Sequence, residues 1–229
     1  MLFLDRFTVL LLDMNGTFMF DHDRFGPDED YYATYLSVGG RALDRERLLQ
    51  IVRTSCEAIL RDYYLPERFD DFPSVAEAFT EYGGAPVDEV PVLERLFAAH
   101  EMGRVPPAHA AFLRQVARSH HLGIVSNICA RPGPWLAAFS ESGLLPLFRT
   151  IVFSSEGRSI KPSRVLFDRA LATVDSGSAV LFAGDSLDRD IIPAKALGLA
   201  TAWIAPRGST HPAADVVVES LPDLAAVAD

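Results

Sequence analysis

The fold is decided by residues 8–17, which read TVLLLDMNGT. The apolar run at residues 9–12, with Thr8 ahead of it, predicts a buried strand of a parallel sheet. The run ends in a carboxylate, Asp13, and the pair Asn15-Gly16 that follows is typical of a tight turn. Open α/β sheets bind their ligands beyond the carboxyl ends of the strands. Asp13 is therefore a candidate functional residue, although an ordinary strand that ends in a polar turn is the simpler interpretation of this stretch alone.

The composition of the 229-residue chain is typical of a globular protein, with 49% hydrophobic and 23% charged residues. Its formal net charge of −10 argues against nucleic acid or an anionic membrane as the main partner, since both bind to basic surfaces. A small anionic substrate is compatible with this charge if local cations or a metal offset it. No apolar run is long enough to cross a membrane, and residues 1–12 are interpreted as a strand with its lead-in rather than as a signal peptide. Cys56 and Cys129 do not make a disulfide framework, so a reducing cytoplasm is the predicted location.

A long helical stretch separates the first strand from the other predicted strands. Residues 20–105 show helical patterns only, among them a helix that Asp44 would cap and that would end near Tyr63. After Pro106-Pro107, short apolar runs alternate with helical segments, which favours a parallel sheet with helices on both faces. The prediction is a doubly wound, Rossmann-like α/β core of residues 1–19 and 107–229, with an inserted all-helical cap domain of residues 20–106.

Polar groups recur where the predicted strands end. Asp13 follows the first strand, Ser126 the second and Asp185 the fourth, while Lys161 lies in the loop after the third. Because parallel strands bring their carboxyl ends to one edge of the sheet, we expect these groups to converge there. Taken singly, each has a simpler explanation: Ser126 as a turn residue, Lys161 as a solvated charge, Asp190 as a helix cap.

Four short motifs, taken together and in this order, resemble those of the haloacid dehalogenase-like (HAD) hydrolases. They are Asp-x-x-Gly-Thr at residues 13–17, Ile-Val-Ser-Asn at 124–127, Ile-Lys-Pro at 160–162, and Gly-Asp-Ser-Leu-Asp-Arg-Asp at 184–190 followed by AKALG at 194–198. The helical insertion lies where the commonest cap of that family lies. The resemblance covers nearly the whole chain.

The resemblance implies a Mg²⁺-dependent phosphatase. Asp13 would be the nucleophile and form an aspartyl-phosphate, and Lys161 would neutralise charge on Asp13 and on the transferring group. Ser126 and the amide of Asn127 would bind the phosphoryl oxygens. The implied metal ligands are the Asp13 and Asp185 carboxylates, the backbone carbonyl of Asn15, and Asp190 either directly or through water, with Asp188 less favoured.

Asn15 departs from the family pattern, because phosphatases of the family usually carry an aspartate there that protonates the leaving group and deprotonates water. An amide cannot shuttle a proton, and general acid–base catalysis typically contributes roughly 10²–10⁴-fold. Four explanations stay open. The leaving group needs no proton, as in an acyl phosphate; His22 substitutes, although a solvated hinge residue is the simpler interpretation of it; the protein binds a phosphorylated ligand with little or no turnover; or Asn15 is an engineered or deamidating form of aspartate.

Other members of the family also lack that aspartate. Dehalogenases generally have a tyrosine there and do not keep the Gly-Asp motif, which this chain has at Gly184-Asp185, so a dehalogenase ranks below a phosphatase. Phosphonatases use a cap lysine, and residues 20–105 contain none. Phosphoryl transfer to another acceptor stays open. A cap that covers the sheet edge favours small phosphorylated metabolites as substrates. Candidate substrate contacts are Tyr31, Tyr32, Tyr35, Arg41, Arg45, Arg53 and Arg131.

Overall fold

The computed structural model describes residues 2–228, and these residues form one sheet of six parallel strands in the order β3-β2-β1-β4-β5-β6. The strands are β1 (Val9–Leu12), β2 (His121–Ser126), β3 (Phe148–Phe153), β4 (Val180–Gly184), β5 (Ala200–Ile204) and β6 (Val216–Val218). β1 therefore lies at the centre of the sheet, although it comes first in the chain. The predicted fold class, a doubly wound α/β core, is confirmed.

β1 is buried on both faces, which explains its unbroken apolar run. Leu10 and Leu12 belong to one buried cluster, while Val9 and Leu11 belong to a second. Successive side chains of a strand point to opposite sides of the sheet, so a strand covered on both sides needs apolar residues at every position. This packing fixes the place at which Asp13 leaves the sheet.

The described chain between β1 and Pro107 contains helices and no strand of the sheet. Its helices are α1 (Tyr31–Ser37), α2 (Arg45–Tyr63), α3 (Val75–Glu77) and α4 (Val90–Glu101), with a π-helical turn after α3 (Ala78–Tyr82) and a 3₁₀ turn before α4 (Val87–Glu89). α2 has the predicted bounds, and the Asp44 carboxylate accepts a hydrogen bond from the Arg47 amide at 2.8 Å. We keep residues 20–106 as the proposed cap. No described helix is both long and apolar enough to span a membrane.

The remaining helices pack around the sheet. They are α5 (Pro107–Val116), α6 (Gly133–Glu141), α7 (Arg164–Leu171) and α8 (Ile192–Ala196). The prediction that Asp190 caps the helix before Gly198 was wrong. Asp190 lies inside a π-helical turn, Leu187–Ile191, and the cap is the Ser186 hydroxyl, which accepts from the Arg189 amide, because the Asp190 carboxylate is engaged in the interior. The last helical element of the described chain is a 3₁₀ helix, Leu221–Ala226.

The two chain segments that connect the proposed cap to the core run side by side. Phe20 and Arg104 exchange two backbone hydrogen bonds of 2.9 and 2.8 Å, and the Asp23 amide donates to the Glu101 carbonyl at 3.1 Å. Asp21 and Asp23 have φ angles of 57° and 53°, in the left-handed region that non-glycine residues seldom occupy. The paired connections bring the end of α4 close to the first motif.

Candidate active site

Asp13 lies at the carboxyl end of β1 among three polar side chains. Its Oδ1 accepts hydrogen bonds from Ser126 Oγ at 2.9 Å and from Lys161 Nζ at 2.6 Å, and its Oδ2 accepts from Thr17 Oγ1 at 3.4 Å. Asp13 is 5% exposed and Ser126 is fully buried. The first, second and third motifs, far apart in the chain, therefore meet at one carboxylate.

Lys161 joins two carboxylates in the interior. Its Nζ donates to Asp13 Oδ1 and to Asp190 Oδ1, both at 2.6 Å, and the residue is 2% exposed. Burial disfavours the ammonium, but the two carboxylates, Asp13 first, outweigh it and raise the pKa of Lys161 above its usual value. The other Asp190 oxygen accepts from the Ser186 amide at 3.1 Å. Both oxygens of Asp190 thus have protein donors, which favours an indirect role toward a metal.

Two glycines allow the acidic groups to approach the backbone. A Cβ at Gly16 would lie 2.3 Å from Asp185 Oδ2, and one at Gly184 would lie 2.5 Å from Asp190 Oδ2. Gly16 also has a φ of 76°, a conformation that glycine adopts without strain. The Asn15-Gly16 turn therefore lies directly against the fourth motif.

Three carboxylates form a group that suits a divalent cation. Asp13, Asp185 and Asp190 each offer an oxygen, and these oxygens lie within 4.8 Å of one another. Asp185 is the exposed member, yet the cleft walls remove much of its water, and this desolvation, followed by the Asp13 charge, raises its pKa to about 6. Burial raises the pKa of Asp190 to about 7, against the opposing effect of Lys161. Lys161 balances one of the three negative charges, and an all-oxygen donor set is the type that Mg²⁺ prefers. The residues fit the implied metal.

Asn15 is half-buried and lines the same cleft as Asp13. Its Oδ1 is buried and has no hydrogen-bond partner among residues 2–228. Buried polar atoms normally have a partner, so this oxygen is available to a ligand. His22 also lines the cleft, with Nδ1 likewise buried and unpartnered within the described chain, and its Nε2 lies 3.7 Å from Asp23 Oδ2.

The structure gives Asn127 a contact that sequence reasoning missed. Its side chain accepts from the Lys161 amide at 2.8 Å and donates to the Lys161 carbonyl at 3.2 Å. Phosphoryl binding by the backbone amide of Asn127 stays a prediction. These hydrogen bonds between the second and third motifs fix the backbone of Lys161 and so help to position its ammonium group. Because the two residues are far apart in the sequence, no local pattern indicates the contact.

Arg189 is a second group that the sequence analysis did not single out. Its guanidinium carbon lies 3.6 Å from the centre of the Tyr63 ring, and it donates to the carbonyls of Lys161 and Tyr63. It thus joins the third motif to the end of α2. In the sequence, only its position inside the fourth motif could have indicated that Arg189 lies at the site.

A cleft of about 1160 Å³ lies over the carboxylates, between the helical region and the sheet edge. Of the proposed substrate contacts, Tyr31, Arg45 and Arg53 line it, together with apolar side chains of α2 such as Leu60. Tyr35 does not; its hydroxyl donates to Glu89 at 2.5 Å. Tyr32, Arg41 and Arg131 are also absent from the described lining, and Arg131 pairs with Glu94 at 3.1 Å.

Comparison with known proteins supports the same fold as the motifs. Residues 160–226 match a family model described as HAD-hydrolase-like. The chain is similar to the HAD phosphatase from Thermococcus onnurineus, with 22% identity, a TM-score of 0.62 and 95% of each chain covered. It is also similar to the putative HAD-hydrolase YfnB from Bacillus subtilis, described as bound to magnesium, with 19% identity and a TM-score of 0.58, over 96% of this chain and 97% of that one.

A dehalogenase shows the same fold. The 2-haloacid dehalogenase from Pseudomonas syringae pv. Tomato DC3000 has 18% identity and a TM-score of 0.63, over 96% of this chain and 97% of the other. No curated protein matches the chain. The chain therefore has the fold of the HAD-like hydrolase superfamily, and since both phosphatases and dehalogenases share that fold, the choice between them depends on the site.

Proposed function

We propose that this protein is a Mg²⁺-dependent hydrolase of small phosphorylated compounds that forms an aspartyl-phosphate on Asp13. The observation that carries the proposal is the group of three carboxylates, Asp13, Asp185 and Asp190, with oxygens within 4.8 Å of one another and a single lysine among them. Such an arrangement suits a cation and an anionic substrate, whereas removal of a halide from carbon needs no cation to offset repulsion between nucleophile and substrate.

The reaction has two steps. An Asp13 oxygen attacks phosphorus, a bond from Asp13 to phosphorus forms, and the bond from phosphorus to the leaving group breaks. Water then attacks the same phosphorus and the bond from Asp13 to phosphorus breaks. This step releases phosphate, regenerates the carboxylate, and passes the proton of the attacking water to the released phosphate or to solvent. Lys161 and Ser126, which already contact Asp13, would stabilise charge on the phosphoryl oxygens.

Mg²⁺, held by Asp13, Asp185 and the Asn15 carbonyl with Asp190 in support, would reduce the repulsion between carboxylate and phosphate when bound. Asp190 is assigned the supporting role because its two oxygens accept hydrogen bonds of 2.6 and 3.1 Å, whereas Asp13 Oδ2 accepts only a long one of 3.4 Å from Thr17 and so stays open to a cation. Of the two implied roles of Asp190, direct ligand or contact through water, this assignment selects the second.

Asn15 restricts the substrate. Without a carboxylic acid at this position, the leaving group must depart unprotonated or take its proton from another group. Acyl phosphates meet this requirement, because their carboxylate leaving groups are weak bases. The same residue favours one alternative of another class, a protein that binds a phosphorylated ligand with little turnover; a phosphotransferase and a dehalogenase-type reaction are the remaining alternatives.

The net charge of −10 supports a small substrate rather than nucleic acid or an anionic membrane as partner, and we also propose a cytoplasmic location. The substrate would occupy the cleft beneath the proposed cap, whose walls limit its size.

The test is a panel of acyl phosphates, alkyl phosphates and 2-haloacids, assayed with and without Mg²⁺. Wild type is compared with Asp13→Asn and with Asp188→Asn, which changes an exposed aspartate of the same cleft outside the carboxylate group. We expect Mg²⁺-dependent phosphate release that Asp13→Asn abolishes and Asp188→Asn largely keeps. Halide release, or phosphate binding without Asp13-dependent turnover on any substrate, would overturn the proposal in favour of the dehalogenase or the binder.

A further inference from the structure

The backbone loop that follows β2 is held from two sides. This phosphoryl-binding loop, residues 126–130, carries Ser126 and Asn127 at its start. The core holds its middle, where the Ile128 amide donates to Ser154 Oγ at 3.0 Å and Ser154 Oγ donates back to the Ile128 carbonyl at 2.8 Å. The next two amides of the loop have an acceptor from outside the core.

Glu101, the last residue of α4, supplies that acceptor. Its Oε1 accepts from the Cys129 amide at 2.5 Å and its Oε2 from the Ala130 amide at 2.9 Å. The residue is 3% exposed although it belongs to the wall of the cleft. A buried carboxylate is stable only when its oxygens have donors, and the two consecutive amides meet this need.

The neighbourhood gives Glu101 no competing partner of opposite charge. No lysine or arginine forms an ion pair with it within residues 2–228; the charged group that acts on its pKa is the Asp23 carboxylate, and the Cys129 side chain also donates to it. All donors to the Glu101 carboxylate thus come from the loop, mainly from its backbone amides, and separation of α4 from the loop would leave these amides and the carboxylate without each other as partners.

We infer that Glu101 is a positioning residue, which fixes the phosphoryl-binding loop in its functional conformation only while the proposed cap is seated on the core. The inference depends on the proposed function, since it assigns the loop to phosphoryl binding. The cap then has a role in the reaction beyond enclosing the substrate. When the cap closes on the core, Glu101 also places the Ser126 and Asn127 donors in their functional positions.

The chain contains a matched control for this contact. Glu94, also on α4, pairs with Arg131 just beyond the same loop at 3.1 Å, but the Arg131 side chain is 79% exposed. Exposed ion pairs contribute little. Glu101→Gln and Glu94→Gln thus remove one charge each from the same helix. The first removes it at a buried contact with the loop, and the second at a contact whose arginine partner is exposed and whose glutamate is 16% exposed. The glutamine amide keeps one acceptor oxygen but presents N–H groups to the second loop amide.

The experiment measures amide hydrogen exchange in the loop and, separately, turnover. In Glu101→Gln we expect the exchange rates of the Cys129 and Ala130 amides to rise at least about tenfold, which is the effect of losing one hydrogen bond. The exchange rate of the Ile128 amide in this variant, and of all loop amides in Glu94→Gln, should stay unchanged. We expect kcat of Glu101→Gln on the best substrate to fall by up to about 10²-fold, with a smaller change in KM, because hydrogen-bond donors near the reacting group are displaced. The kcat of Glu94→Gln should stay within twofold of wild type.

Each outcome decides a separate point. Unchanged exchange at Cys129 and Ala130 overturns the inference, and so does faster exchange with unaltered turnover, because the loop would then not serve the reaction. If wild type has no turnover, the proposed function fails, and the exchange of the two amides with inorganic phosphate and Mg²⁺ present still tests the contact itself. If Glu101→Gln does not fold, Glu101→Asp, which keeps both oxygens on a shorter side chain, is measured in the same two ways.

Discussion

The chain's two lysines provide a test of the charge balance at the site. Lys161 and Lys195 each lie 2.6 Å from an aspartate oxygen, but the Lys161 side chain is 3% exposed and the Lys195 side chain 37%. Lys161→Met leaves Asp13 and Asp190 buried without their cation. Removing one partner of a buried ion pair typically costs about 3–5 kcal/mol, whereas an exposed pair contributes about 0–1 kcal/mol. We therefore expect Lys161→Met to be much the more destabilising substitution.

The assay is urea unfolding at pH 8 in EDTA, so that no divalent cation replaces the lost ammonium. Lys195→Met serves as the control, because it makes the same substitution at a lysine whose Nζ also lies 2.6 Å from an aspartate oxygen. Addition of Mg²⁺ in excess should reduce the difference in free energy of unfolding between Lys161→Met and wild type, because the site without the ammonium carries more negative charge and binds the cation more tightly. A Lys161→Met protein that loses no more stability than Lys195→Met would refute the argument that Lys161 compensates buried negative charge.

Three further predictions address separate parts of the site. Asn15→Asp should raise turnover of alkyl phosphates roughly 10²–10⁴-fold by restoring an acid; an unchanged rate in a steady-state assay would show that another group supplies the proton. Gly16→Ala should abolish Mg²⁺ binding measured by calorimetry, since its Cβ would lie 2.3 Å from Asp185 Oδ2; undiminished binding would contradict the metal assignment. Burial raises the pKa of Glu101 from 4.5 to about 7, so as the pH rises the unfolded chain loses this proton before the folded chain does. The free energy of unfolding of wild type, relative to that of Glu101→Gln, should therefore fall by about 3 kcal/mol between pH 4.5 and about pH 7. Parallel pH profiles of the two free energies of unfolding would contradict this prediction.

The sequence predicted the elements whose cause is local. β1 has the predicted bounds, because four apolar residues between a polar lead-in and an acid fit only a short buried strand. α2 likewise begins after Asp44 and ends at Tyr63, as its cap and apolar face indicate. The convergence of Asp13, Ser126 and Lys161 followed from parallel topology, which brings strand ends together without any knowledge of side-chain contacts.

The predictions that failed, and the contacts that were missed, concern residue pairs that only the folded chain brings together. Asp190 follows helix-cap rules in the sequence, but Lys161 binds its carboxylate in the interior, so Ser186 caps the turn instead. The contacts of Glu101 with Cys129 and Ala130 join positions 28 and 29 residues apart. No periodicity of the sequence reports such a pair, and burial of the carboxylate becomes visible only once α4 packs against the loop.

The central claim, that Asp13 takes up a phosphoryl group, is tested most directly by acid-quenching the protein during turnover of an acyl phosphate with Mg²⁺ and mapping the peptides by mass spectrometry. We predict a phosphoryl adduct on the peptide that contains Asp13, absent in EDTA and in Asp13→Asn. The adduct should reach a higher level in wild type than in Asn15→Asp, because water attacks slowly without a general base. Phosphate release from wild type without any adduct on Asp13, or with an adduct on another residue, would contradict the account.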